Sequence, residues 1–203
     1  DGVVRQGRLK WIQSSAAGLD HCLVPSVVDS TIPVTSASGV LADQVAEQTL
    51  ALLLGLLRGL PEYFRAQQNK EFIRRPTRDL HGAAVGIVGL GGNGRRIARV
   101  LAPFRTRILA TDYYPINRPA EVESLLPPER LAEILPQLDI CILTAPLNEH
   151  TRDMIDATAF ARKVVVSFEG ESLTTLSPED HVLNACIHGG RWDWVPSLRW
   201  ILD

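Results

Sequence analysis

An apolar run that breaks into a cluster of glycines constrains this chain more than any other feature: Ala83-Ala84-Val85-Gly86-Ile87-Val88-Gly89-Leu90-Gly91-Gly92-Asn93-Gly94. It reads as a strand entering a tight turn, and Arg95, Arg96, Ile97, Ala98, Val100 and Leu101 continue it with helical spacing. Residues 106–111 supply a second apolar strand that ends at Asp112, 18 residues beyond Gly94. Glycines alone also fit an ordinary turn. Strand, glycine turn, helix, strand and acid in this order make a dinucleotide-binding unit. Gly89 permits the turn, Gly91 lets the main chain approach a pyrophosphate, and Gly94 lets the helix pack closely on the strand. The pyrophosphate is expected on the free N–H groups of the helix start, at the positive end of its dipole. Asp112 is expected to hold the ribose hydroxyls and to favour NAD, because a 2′-phosphate would meet like charge. Pro115 and Arg118 follow closely and leave NADP open.

Composition narrows the remaining classes. The chain has 203 residues, 45% of them hydrophobic, enough for a sizeable core. With 21 basic and 23 acidic residues the formal charge is −2, and no basic run offers a footprint for nucleic acid. The longest apolar block, residues 50–57, is too short to span a bilayer, and the first residues carry no secretory pattern. Cys22, Cys141 and Cys186 are too widely spaced to suggest a disulfide framework or a metal site, so a reducing, cytoplasmic setting is expected.

Along the chain, residues 9–13 read as a short strand that ends in the small-residue loop 14–18, and residues 32–35 as another extended piece. A long helix is expected over 41–60, with Asp43 and Glu47 near its start and Pro61 as its stop. Its apolar residues cover nearly the whole circumference from 50 to 57, which predicts burial on several sides, within a domain or at an interface. Residues 62–80 read as a polar surface connection. Beyond them the pattern runs strand, helix, strand, helix (128–135), strand (139–144). Continuous apolar strands alternating with helices predict an α/β, doubly wound parallel sheet of Rossmann type.

Several motifs in order resemble the D-isomer-specific 2-hydroxyacid dehydrogenases, over residues 9–162. Ser15-Ala16-Ala17-Gly18-Leu19-Asp20 is similar to that family's substrate loop, and Ser38-Gly39-Val40 with Val45-Ala46-Glu47 to its interdomain helix. Leu80-His81-Gly82 followed by the glycine turn is similar to its nucleotide-domain entry, and Ala145-Pro146-Leu147, Thr151 and Met154-Ile155 to the motif after a later strand. The resemblance implies hydride transfer between NAD and a small 2-hydroxy or 2-keto acid in a cleft between two domains. It divides the chain into a partial, flavodoxin-like substrate domain (1–39), an interdomain and dimer helix (40–61), an NAD-binding domain (62–170) and a divergent tail (171–203). Main-chain N–H groups near Ala17 and Gly18 are expected to receive the substrate carboxylate. Gly92 and Asn93 are expected over the pyrophosphate, and Ala145, Pro146 and Thr151 on the adenosine side. Taken alone, the 14–18 loop reads better as a plain turn and Pro146 as a strand terminator. A homodimer through the 41–60 helix is the expected assembly.

The resemblance also implies an arginine that clamps the substrate carboxylate and a histidine–carboxylate pair that moves the hydroxyl proton. In the family the arginine follows a strand in an Ala-Arg-Gly-type motif. Here that stretch reads Lys163-Val164-Val165-Val166-Ser167-Phe168-Glu169-Gly170, with an acid where a cation is wanted. Ile187-His188-Gly189-Gly190 is the one weak match to the histidine motif, and His188 reads mainly as an incidental residue; His21 and His150 read as surface residues. Trp192, Trp194 and Trp200 crowd the tail without amphipathic period. The chain is therefore expected to be a catalytically incomplete fragment of such an enzyme, or an NAD-binding module without turnover.

Overall fold

The computed structural model describes residues 2–152, 154, 155, 164–167 and 182–184. Six strands form one parallel sheet: β3 (Ala84–Val88), β4 (Arg107–Thr111), β5 (Val122–Leu126), β6 (Ile140–Leu143), β7 (Val164–Ser167) and β8 (Val182–Asn184), in the spatial order β5-β4-β3-β6-β7-β8. Two further strands, β1 (Ile12–Gln13) and β2 (Val34–Thr35), make a separate parallel pair. The helices are α1 (Gly2–Arg5), α2 (Pro25–Val28), α3 (Ala42–Leu57), α4 (Leu60–Gln68), α5 (Gly92–Leu101) and α6 (Leu131–Ile134). The expected doubly wound α/β architecture holds.

The strand order reverses direction between β3 and β6. Connections leaving these two neighbours turn to opposite sides of the sheet, which opens a crevice beyond their C-terminal ends. Both faces of the sheet are covered, and all of β3 is buried. Successive residues alternate between two cores. Val85, Ile87, Ile108, Ala110, Ile140 and Ile142 pack with Ala46, Leu53 and Leu57 of α3 and Ile97, Ala98 and Leu101 of α5. Val88, Leu109 and Cys141 pack on the other face with Leu131, Ile134, Leu138 and Ile155. Asp139 closes the lower edge of this layer, its Oδ2 accepting the Ala84 N–H at 2.8 Å.

The structure departs from the sequence expectations at several elements. α3 ends at Leu57, not 60. Gly59, in the left-handed conformation (φ +66°), breaks the chain and starts α4. Pro61 stops nothing; it sits in the first turn of α4, where a proline costs no hydrogen bond. The first part of the expected surface connection is therefore helical, and Phe72 beyond it is 89% exposed. The helix expected over 128–135 is broken into a 3₁₀ turn (Pro128–Arg130), α6 and a second 3₁₀ turn (Leu135–Gln137), with prolines opening both turns. Strand β5 had no counterpart in the sequence reading. It is a sheet edge, with Glu123 facing solvent. Strand β8 falls within residues 171–203 and pairs with β7, so the sheet continues past residue 170.

Candidate cofactor site

The glycine turn lies where the crevice predicts, between the ends of β3, β4 and β6. The Gly89 N–H donates to Thr111 O at 2.8 Å, and Gly89 adopts φ +91°, a conformation that side chains with a Cβ disfavour. A Cβ there would also stand 2.7 Å from Ala145 N. At Gly94, a Cβ would stand 2.2 Å from Gly89 O, so α5 rests directly on the turn. Gly91 differs: nothing lies within 4 Å of where its Cβ would be. Two glycines are closed off by the protein and the middle one faces open space. No side chain caps α5, so the N–H groups of its first turn, at Gly92, Asn93 and Gly94, have no side-chain acceptor.

Asp112 is placed by the end of β4, whose chain continues as Asp112 N–H donating to Leu126 O. Its Oδ2 accepts the Leu90 N–H at 2.5 Å and its Oδ1 the Tyr114 N–H at 2.9 Å. The acid thus binds the glycine turn to the loop after β4. A carboxylate has about four acceptor positions, so two remain for other donors.

Beyond β6 the loop holding Ala145, Pro146 and Thr151 meets the turn from the other side. Thr144 Oγ1 lies 2.6 Å from Gly89 O, to which it donates. Thr151 Oγ1 donates to Pro146 O at 2.6 Å and accepts the Asn148 N–H at 2.9 Å, while Asn148 Oδ1 accepts the N–H groups of His150 and Thr151. These bonds close the loop on itself beside the turn. Thr144 went unnoticed in the sequence because a threonine at a strand end carries no motif; its role comes from the adjacency of β3 and β6.

The Ala17–Gly18 loop leaves β1. It is tied to the segment after β2 by Ser14 N–H donating to Thr35 O and Ala37 N–H donating to Ala16 O. Ser14 Oγ accepts the Ala16 N–H at 3.1 Å and lies 3.2 Å from His21 Nε2. Among the described residues, neither the Ala17 nor the Gly18 N–H donates to a protein acceptor. The same N-terminal segment reaches the glycine turn: a Cβ on Gly92 would stand 2.8 Å from Gly39 Cα, and Asp43 of α3 pairs with Arg96 of α5. Gly39 is thus a second residue that the glycine motif alone did not reveal.

The profile of the D-isomer specific 2-hydroxyacid dehydrogenase NAD binding domain matches residues 50–164 of the chain. The chain belongs to this family. Residues that the structure gathers around the glycine turn lie within or beside the matched segment. A glyoxylate reductase of Thermofilum pendens is 34% identical over 159 residues, covering 73% of this chain and 45% of that protein. A mitochondrial formate dehydrogenase of Hordeum vulgare is 31% identical over 194 residues, covering 90% of this chain and 52% of its own length. Among solved structures, a D-isomer specific 2-hydroxyacid dehydrogenase family protein from Klebsiella pneumoniae 342 superposes with a TM-score of 0.70 at 28% identity, over 81% of this chain and 54% of that one. The chain spans about half the length of the curated relatives it matches.

His188 and Glu169 lie outside the described residues. His21 and His150 are exposed, as expected. No group of three or more His, Cys, Asp or Glu among the described residues could hold a metal ion, and no helix among them is long and apolar enough to cross a membrane.

Proposed function

We propose that this chain carries the cofactor half of an NAD-dependent 2-hydroxyacid dehydrogenase. The observation that carries the reading is the contrast among the glycines: Gly89 and Gly94 are shut in by main chain, while the Gly91 face is open for a pyrophosphate. Gly91, Gly92, Asn93 and Gly94 would present main-chain N–H groups to its phosphates, where no protein acceptor competes and the dipole of α5 favours negative charge. Asp112 would accept the ribose hydroxyls with its remaining lone pairs, and Ala145, Pro146 and Thr151 would border the adenosine side. Bound NAD would take up or supply the hydride. Ala17 and Gly18 would offer their free N–H groups to the carboxylate of a small 2-hydroxy or 2-keto acid, orienting its carbon toward the nicotinamide.

A second reading, an NAD-binding module without turnover, has its own support. β7 is followed by Phe168-Glu169-Gly170, and no arginine occurs between Arg162 and Arg191 to clamp and polarise a 2-keto acid. A homodimer through α3 and a cytoplasmic setting complete the proposal; the apolar side chains of Val40, Leu41, Leu60 and Phe64, exposed at the ends of α3 and on α4, favour such an assembly. Fluorescence titration with NADH, run beside a turnover assay over small 2-keto acids, separates the readings. Binding with turnover supports the enzyme, binding alone the module, and absence of binding rejects both. Sedimentation velocity decides the dimer.

A further inference from the structure

Arg95 occupies the first turn of α5, where the positive end of the helix dipole disfavours a cation. Its guanidinium is engaged by the loop after β4. Nη1 donates to Asn117 O at 2.8 Å and Nη2 to Ile116 O at 3.3 Å. Both carbonyls belong to the loop 112–118 that leaves β4. The start of that loop is held from the other side, by the Asp112 carboxylate accepting the N–H groups of Tyr114 and Leu90. Arg118 is committed as well, its Nη1 donating to Val122 O. Between the two anchors, Tyr113 and Tyr114 stand exposed and edge-to-face, their ring centroids 4.9 Å apart. The loop after the ribose acid is therefore a strap tied at both ends, and both of its nearby arginines are engaged with main-chain oxygens.

We propose that Arg95 is a positioning residue for the adenosine half of the cofactor: it pins the loop 112–118 beside Asp112. The inference rests on the reading that the glycine turn binds NAD. A forked guanidinium spans two carbonyls in a fixed geometry; an ammonium on its flexible stem holds them less rigidly. The tether joins the first turn of α5 to the loop beside Asp112, so its loss should be felt by every adenosine-containing ligand to the same degree.

The test uses the whole chain as wild type, Arg95→Ala and Arg95→Lys. NADH binding is followed by fluorescence, AMP by displacement of NADH, and residues 113–118 by amide hydrogen exchange. Arg95→Ala should raise the Kd for NADH and for AMP by one common factor of about ten, and speed exchange in residues 113–118, with little change in Tm. Arg95→Lys should fall between the two. Unchanged AMP affinity or unchanged loop exchange in Arg95→Ala overturns the role of Arg95. A wild type that binds neither NADH nor AMP overturns the functional reading itself, and this role with it.

Discussion

The carboxylate of Asp112 accepts the main-chain N–H of Leu90 at 2.5 Å, joining the residue after β4 to the middle of the glycine turn. The acid expected to select the cofactor therefore also fixes the shape of the loop that would hold its phosphates. Removing it should act in two ways. Asp112→Ala strands the N–H groups of Leu90 and Tyr114 and should lower stability by about 1–3 kcal/mol. It should also weaken NADH and narrow its advantage over NADPH. Urea unfolding and paired titrations measure both; an unchanged cofactor preference would sink the assignment.

Gly91 and Gly94 should separate binding from folding. Gly91 is extended (φ −72°, ψ −159°) with open space around it, so Gly91→Ala should leave stability within about 0.5 kcal/mol while greatly weakening NADH. At Gly94 the added Cβ would stand 2.2 Å from Gly89 O, so Gly94→Ala should cost about 2–4 kcal/mol and binding together. Thermal melts beside NADH titrations give the comparison. Equal stability losses in the two variants would contradict it.

Asp139 should matter to folding alone. Its Oδ2 accepts the Ala84 N–H at the start of β3, at the opposite end of the strand from the glycine turn. Asp139→Ala should lower stability by about 1–2 kcal/mol and leave the NADH Kd unchanged.

The Arg130–Glu133 pair should contribute little. The Arg130 guanidinium, hydrogen-bonded to Glu133, holds that carboxyl below the ordinary glutamate range. A depressed folded-state pKa means that any contribution is present above the unfolded glutamate pKa and is lost as the pH falls through the lower folded value. Both groups are solvent-exposed, so screening leaves it small. Glu133→Gln should shift the acid limb of a Tm-against-pH profile barely, and no more at low salt than at high salt by over a degree or two.

Much of the architecture was readable because its signals are local. The apolar runs at β3 and β4 and the glycine spacing name a dinucleotide turn within one window of about thirty residues, and the run at β6 extends the parallel sheet. β5 was not readable, since Val122-Glu123-Ser124-Leu125-Leu126 is short and carries a charge; it becomes a strand because β4 offers it an edge. Pro61 misled for a related reason. A proline marks either the end of one helix or the start of the next, and only the left-handed turn at Gly59 decides between them.

The sequence by itself determined the strand–glycine–helix unit, the carboxylate that closes it and the family to which both belong, because each is set by spacing along the chain. Tertiary structure decided which glycine is open: Gly89 is closed by Ala145, Gly92 by Gly39, and Gly91 by nothing within 4 Å. It also decided that Asp112 grips Leu90 and that Arg95 is tied to the far end of its loop. Those relationships join residues brought together only when parallel strands align their ends, and no spacing rule along the chain encodes them.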